Sequence, residues 1–406
     1  TTNKTIKGRE MKKIVLAFSG GLDTSFCVPY LIEQGFEVHT IFINTGGTSP
    51  EEQKKITKRA IELGAKKHVN KNIDKPLWKE IIKPLIWSGS LYQDRYPALC
   101  SDRYLIVKET VALCKKLKTK NIAHGCTGMG NDQVRFDLSI QALGNFKTIT
   151  PIREIQNTTK DVREYEKEYL IKRGYKVSSL SSKYSINENI MGATVSGSEI
   201  DEWNQPSDQS YILCKKPSQY PKKDKKITID FIKGEAKKIN GKPLNGPDLL
   251  RHLNSLGGSY GVGREIFTGD TIIGIKGRIL FEAPGITILQ KAHKALEEIV
   301  FTDKQNHFKP SIGKRWVELV YSGFYFDPLT KNLENFLEDI QSSVTGTVEI
   351  NLTAGRADAV GVDAKKKLVK KDAVYAQSAS WSSDESTGFI KLLGQSTATW
   401  AEVNKK

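Results

Sequence analysis

Apolar positions between residues 12 and 150 fall in short unbroken runs, with helix-period stretches between them. IVLAF (14–18) is followed by a helical pattern over 24–35, and VHTIFIN (38–44) is a second buried run. Helical patterns return at 51–63 and 103–118, and NIAHG (121–125) is another strand leading into a Gly-rich turn. Unbroken apolar strands divided by helices of this length predict a parallel, doubly wound α/β sheet. Pro29 falls inside the first helix, where it forfeits a backbone bond and should kink the chain. A Ser-rich stretch, VSSLSSKYS (177–185), marks the expected domain boundary, and beyond it the period changes. ITIDFIKGEAKKING (227–241) and GTVEINLTAG (346–355) alternate with period two, as half-exposed antiparallel strands do. Helical patterns at 246–256, 289–301 and 330–343 accompany them, so the second domain reads as α+β.

The strand ends carry the first chemistry. Ser-Gly-Gly-Leu-Asp-Thr-Ser (19–25) joins the first strand to the first helix. Its two glycines let backbone N–H groups turn toward an anion with no Cβ in the way. The first helical amides and the positive end of the helix dipole face the same point. Ser19, Thr24 and Ser25 add hydroxyl donors. No Lys follows the glycines, so this is not the Walker loop, whose Lys reaches the β- and γ-phosphates. Such a loop suits gripping a phosphate group better than driving γ-phosphoryl transfer. Asp23 inside an anion site is repulsive without a cation, which points to Mg2+.

Four further blocks are denser in polar groups than folding requires. SLYQDRYPALCSDR (90–103) gathers Tyr96, Ser101 and Arg103, and HGCTGMGNDQVRF (124–136) crowds Thr127, Asn131, Asp132 and Arg135 into a Gly-punctuated loop after a strand. KYSINENIMGAT (183–194) and GVGREIFTGDTIIGIKGRILFEAPG (261–285) are the others. Glycine and Asn suffice to make a turn, but a turn does not need Asp132 and Arg135 together.

Composition removes several classes of function. Five cysteines (27, 100, 114, 126 and 214) form no C-x-x-C pair, which argues for free thiols in a reducing compartment and against structural zinc or a redox dithiol. No apolar run approaches a membrane span, and the leading TTNKTIKGRE is polar, so a cytoplasmic protein without a membrane partner is expected. Sixty-two basic against 46 acidic residues give a net charge of +16. The lysine excess is spread along the chain, and its clusters at 221–226 and 364–371 read as solvated loops without interleaved aromatics. No nucleic-acid partner is expected on that pattern; the basic field would instead attract anionic substrates.

AFSGGLDTS (17–25) resembles the PP-loop of the N-type ATP pyrophosphatases, which cleave ATP to AMP and pyrophosphate. Y-x-DRY (92–96), HG-x-TG-x-GNDQVRF, YS-x-N-x-N with GAT, GVGR, EAPG and STGFIKL (386–392) then follow in the order found in the argininosuccinate synthase family. The resemblance runs from about residue 12 to about 392 and implies an ATP-dependent ligase that joins citrulline and aspartate through a citrullyl-adenylate. It implies a PP-loop domain over 11–176, a synthetase domain over 177–371 and a C-terminal oligomerisation arm over 372–406 of a homotetramer. Ala17, Phe18, Ser19, Gly20, Gly21, Leu22, Asp23, Thr24 and Ser25, with Ile43 and Gly125, would hold ATP. Ser19, Asp23 and Ser25 would lie closest to the chemistry, which needs no covalent nucleophile. Thr127, Asn131 and Asp132 would bind aspartate, and Tyr96, Ser101, Asn131, Arg135, Ser185 and Thr194 citrulline. The chain departs from the family pattern in four places: Gly269 for Glu, Phe281 for Tyr, Met129 for Lys and Cys100 for Thr. Asp270 is therefore expected to replace the missing carboxylate that pairs citrulline's ammonium.

Overall fold

The computed structural model describes residues 11–177 and 183–405. The polar lead TTNKTIKGRE and residues 178–182 of the Ser-rich stretch lie outside the described residues. The first half is a five-stranded parallel sheet in the order β3-β2-β1-β4-β5. Its strands are β1 (Lys12–Ala17), β2 (Phe36–Asn44), β3 (Lys67–Asn72), β4 (Asn121–Ala123) and β5 (Lys147–Ile149). Central β1 and β2 are buried over most of their length, which is why they read as unbroken apolar runs. Edge strand β3 is the polar KHVNKN and β5 has only three residues, so neither registered in the hydrophobic pattern.

Helix α1 (Leu22–Glu33) follows β1 and spans Pro29, while α2 (Pro50–Glu62) connects β2 to β3. Two short helices, α3 (Asp74–Leu77) and α4 (Lys83–Ser88), precede the long α5 (Asp102–Lys116). After β4 comes α6 (Asp132–Leu143), and after β5 come α7 (Pro151–Gln156) and α8 (Val162–Lys172). α8 packs on α1, with the Phe26 and Tyr169 rings 4.7 Å apart.

The second half holds two antiparallel sheets, ordered β11-β12-β7-β6 and β10-β9-β8-β13-β14. The first uses β6 (Ser185–Asn189), β7 (Gly192–Ser196), β11 (Arg264–Asp270) and β12 (Lys276–Glu282). The second uses β8 (Lys225–Ile232), β9 (Glu235–Ile239), β10 (Lys242–Pro243), β13 (Gly346–Thr353) and β14 (Arg356–Asp363). The period-two pattern is visible in β13, where Val348, Ile350 and Leu352 are fully buried between half-buried neighbours. Helices α9 (Gly246–Ser259), α10 (Pro284–Val300), α11 (Asp303–Tyr321) and α12 (Pro328–Ile340) complete this region. The chain closes with α13 (Ser383–Val403), no residue of which is buried.

Strand order reverses between β1 and β4, which pair directly through Val15 with Ile122 and Leu16 with Ala123. A doubly wound sheet opens a crevice at such a point, beyond the C-terminal ends of the strands. Both Gly-rich turns leave there.

Candidate active site

A cleft of about 1230 Å3 occupies this crevice, walled on one side by the parallel sheet and on the other by β6, β7 and the β11–β12 hairpin. Phe18 extends the ladder by donating to Ile41 O at 2.9 Å, and the chain then turns at Gly20, whose φ of +83° favours glycine. Ser19 Oγ accepts from Gly21 N at 3.3 Å and lies 3.1 Å from Thr24 Oγ1, while Thr24 Oγ1 donates to Gly21 O at 3.4 Å. Gly21 caps α1 without a side-chain bond to the first turn. A glycine cap costs only a few tenths of a kcal/mol against Ser or Asp, and it leaves the first-turn amides open to a ligand. The absent Walker lysine has substitutes from elsewhere: Arg163 and Lys167 of α8, Lys176, and Arg59 of α2 line the same cleft. Arg59 Nε also donates to Ser25 Oγ at 3.4 Å.

Behind the loop, Asp23 meets Glu166 of α8, which is fully buried and whose carboxylate oxygens lack a hydrogen-bond partner among the described residues. Burial, reinforced by Asp23, pushes the Glu166 carboxyl up to about 8, so it is the neutral acid at neutral pH. Burial raises Asp23 as well, against the nearby Arg163 charge.

The second Gly-rich loop is held differently. His124 Nε2 lies 2.8 Å from Asp137 Oδ1, and Asp137 Oδ2 accepts from Arg153 at 2.7 Å. Burial lowers the His124 pKa despite Asp137, so the ring is neutral; Nε2 donates to Asp137 while Nδ1 accepts from Cys126 N at 3.2 Å. Gly128 N donates to Gln156 Oε1 at 2.6 Å, and Met129 N to Thr127 Oγ1 at 3.4 Å. Gly125 lies against the first loop, where an added Cβ would stand 3.0 Å from Thr24 Cγ2 and 3.4 Å from its amide.

At the start of α6 the charges pair across elements. Asp132 accepts from Arg103 Nε at 3.0 Å with one oxygen and from Arg135 Nη1 at 2.7 Å with the other. Arg103 also reaches Asp102 at 2.7 Å and Asn187 of β6 at 3.0 Å. Arg135 donates to Tyr321 O at 3.0 Å and sits 5.0 Å over the Tyr321 ring, whose hydroxyl accepts from Asn131 at 3.1 Å. Burial would raise Asp132, but the two guanidiniums override it and hold the carboxyl below its usual range. With Asp102 also on Arg103, two carboxylates balance two guanidiniums, and Asp132 is the one shared between both arginines.

Nearly all the anticipated residues meet here. The 17–25 loop, Ile43, Tyr96, Gly125, Thr127, Asn131, Asp132, Arg135, Ser185 and Thr194 line the one cleft. Ser101 does not: it is buried behind the lining and its hydroxyl has no partner among the described residues. Asp270 does not either, contrary to the expectation for citrulline. It pairs across the hairpin with Lys276 and accepts from Gln93 Nε2 at 2.7 Å, so only Lys276 reaches the lining. Gly269 has a packing reason, since a Cβ there would fall 2.2 Å from Gln93 Oε1 and 2.3 Å from the Phe267 ring. Phe281 is buried 5.5 Å from the Tyr96 ring in a T-shaped contact, where a hydroxyl would need a partner. Met129 is exposed and touches nothing that explains it. Sequence reasoning missed Arg59, Arg163, Lys176 and Tyr321, which no contiguous motif contains; Asn187 stands in YS-x-N-x-N but had no role assigned to it. Arg103 was visible as a charge in a polar block but not as a partner of Asp132.

Comparison with known proteins agrees with this geometry. Residues 13–172 match the family description "Arginosuccinate synthase N-terminal HUP domain", and residues 184–400 match "Arginosuccinate synthase C-terminal domain". The chain is 51% identical over 394 residues to the argininosuccinate synthase of Xanthomonas axonopodis pv. citri, covering 97% of this chain and 96% of that one. The enzyme of that name from Xylella fastidiosa is also 51% identical, covering 97% and 98% of the two chains. The one from Prochlorococcus marinus strain MIT 9515 is 36% identical over 401 residues, covering 97% and 98%. Two family domains in order, full-length relatives and a cleft built from the family's own blocks agree: the chain belongs to the argininosuccinate synthase family.

Proposed function

We propose that residues 17–25 grip the ATP phosphates while the Arg103–Asp132–Arg135 bridge receives the amino-acid substrates. The enzyme is an ATP-dependent ligase that joins citrulline and aspartate. Citrulline's ureido oxygen attacks the α-phosphorus of ATP, and the bond to pyrophosphate breaks. Aspartate's α-amino nitrogen then attacks the activated carbon, loses a proton and expels AMP. The uncapped α1 amides, Ser19 and Ser25, with Arg59, Arg163 and Lys176, suit the negative charge that gathers on the leaving pyrophosphate. Gly125 and Ile43 form the wall for the adenosine.

Among the described residues no cluster of three or more His, Cys, Asp or Glu could hold a metal by itself. That fits Mg2+ arriving with the nucleotide, since this ion commonly takes one or two carboxylates beside substrate phosphates. Asp23 is the carboxylate that lines the cleft at the loop, and bound Mg2+ would offset phosphate charge there.

Each oxygen of Asp132 accepts one guanidinium N–H and keeps a further lone pair, and the side chain is 37% exposed to the cleft. It therefore accepts aspartate's ammonium with the bridge in place, with Thr127 and Asn131 beside it. Ser185 and Thr194 of the facing wall serve citrulline together with Tyr96 and with Arg135 of α6. We further propose that α13 is the arm of a homotetramer: Phe389, Ile390, Leu392, Leu393 and Trp400 are each more than 60% exposed and need a neighbouring copy to cover them. Five free cysteines suit a cytoplasmic protein.

The observation that carries the reading is one carboxylate bridged by two arginines across from an uncapped phosphate loop. An omission assay with ATP, Mg2+, citrulline and aspartate tests it. AMP, pyrophosphate and argininosuccinate should form only with both amino acids present; ATP turnover independent of citrulline would sink the assignment.

A further inference from the structure

The lysine excess that is scattered along the sequence condenses in space. Every strand of the parallel sheet points the same way, so the first residues of all five share the edge opposite the cleft. Lys12 and Lys13 open β1, Lys66 and Lys67 lead β3, Lys120 precedes β4 and Lys147 opens β5. At about 4.8 Å between strands, the row spans roughly 19 Å. The end of α5 adds Lys115, Lys116 and Lys118. Thr119 Oγ1 and Asn121 Nδ2 fasten that corner to β1 by donating to Lys13 O at 2.6 and 3.0 Å.

These lysines are exposed, and among the described residues none lies within ion-pair distance of a carboxylate, whereas Lys58, Lys71 and Lys108 of the same half are paired. Of the carboxylates near this edge, Glu33 faces Arg173, Glu62 faces Lys58, and Glu37 of β2 lies 2.8 Å from His39 and also feels Lys13 and Lys66 without a direct ion pair to either. A helix C-terminus accounts for the α5 lysines, but not for those at the strand ends. A shallow cleft of about 450 Å3 opens among them, with half-buried Phe146 in its wall and Lys115, Lys118, Lys120 and Asn145 around it. A recessed aromatic ring rimmed by cations meets the needs of a base and its flanking phosphates; a lipid surface would use a projecting ring instead.

We propose that this edge is a docking face for single-stranded nucleic acid, with phosphates on the strand-end lysines and one base in the Phe146 cleft. Fluorescence anisotropy of a labelled oligouridylate against the full-length protein tests it. Affinity should fall with salt at a log–log slope of about −0.7 per phosphate contact. The triple variant Lys13→Glu, Lys120→Glu, Lys147→Glu should flatten that slope and weaken binding at least about tenfold. Phe146→Leu, which keeps an apolar side chain, should weaken binding by roughly 5- to 100-fold and leave the slope unchanged. Ligase activity should be unaltered in both, which also shows that they fold. Three results would each overturn the proposal. One is oligouridylate binding that ignores the triple variant. Another is equal weakening on reversing Lys365, Lys366 and Lys370, which would mean diffuse attraction. The third is capture by phosphatidylserine vesicles through these lysines with no RNA binding.

Discussion

The loop after β1 and the loop after β4 leave adjacent strands of one sheet, yet their backbone donors are treated in opposite ways. In the first, Ser19 and Thr24 bond mainly to each other, and the first turn of α1 keeps its amides uncapped. In the second, His124, Thr127 and Gln156 take up the amides of Cys126, Met129 and Gly128. The open loop waits for a ligand that brings several negative charges and can order the donors itself. On the proposed assignment the stapled loop is a finished floor for a small amino acid, for which misplacement by about 1 Å can cost on the order of 100-fold in rate.

The largest effect should come from the charge bridge that ends the stapled loop. Asp132→Asn leaves Arg135, whose side chain is 3% exposed, without a carboxylate, while Arg103, 13% exposed, keeps only Asp102. Asp132 itself is 37% exposed to the cleft, so water softens the loss. We expect a stability loss on the order of 2–4 kcal/mol in denaturant titration and a fall of about 10²–10³-fold in kcat/KM for aspartate.

Next comes Gly20→Ala in the open loop. A residue with φ of +83° and Ile56 Cγ1 only 3.1 Å from the new Cβ must shift the loop. The kcat/KM for ATP should drop by roughly 10- to 100-fold with little change in KM for aspartate. Gln156→Ala frees Gly128 N and should cost about 1 kcal/mol. It should raise KM for aspartate a few-fold and spare ATP. If both constants moved together, the two loops would be one mechanical unit and the contrast would fail.

The smallest effect concerns Glu166. Its carboxyl is raised in the fold, from 4.5 to about 8, by burial first and Asp23 second. The stability contributed by the neutral acid is therefore complete below pH 4.5 and is lost as pH rises through 8. Glu166→Gln should remove that fall, so that melting temperatures of the two proteins diverge by a few degrees above pH 8 and converge toward pH 5.

How legible all this was depends on distance along the chain. β1 and β2 were readable because both their faces are buried; polar β3 and three-residue β5 carry no such pattern. The SGGLDTS loop was readable because a strand, its turn and a helix start are contiguous. The cations that serve it come from α2 and α8 and from Lys176, and only folding brings them in. Pro29 lies within α1, which runs on to Glu33. Asp270 stands outside the lining for a similar reason: Lys276 lies opposite it in the hairpin register, and a local partner takes the carboxylate. Asp132 and Arg135 stood out because a turn does not need the pair, and the fold adds that they sit i,i+3 at the start of α6, side by side.

Gly125 has a consequence for how such an enzyme can diverge. With Thr24 Cγ2 only 3.0 Å from any Cβ placed there, the floor of the proposed amino-acid site and the first helical turn of the proposed nucleotide site share one joint. A lineage drifting toward a new amino acid cannot remodel that joint without disturbing its grip on ATP. Novel specificity would have to be inherited through the opposite wall, by changes in β6, β7 and the β11–β12 hairpin.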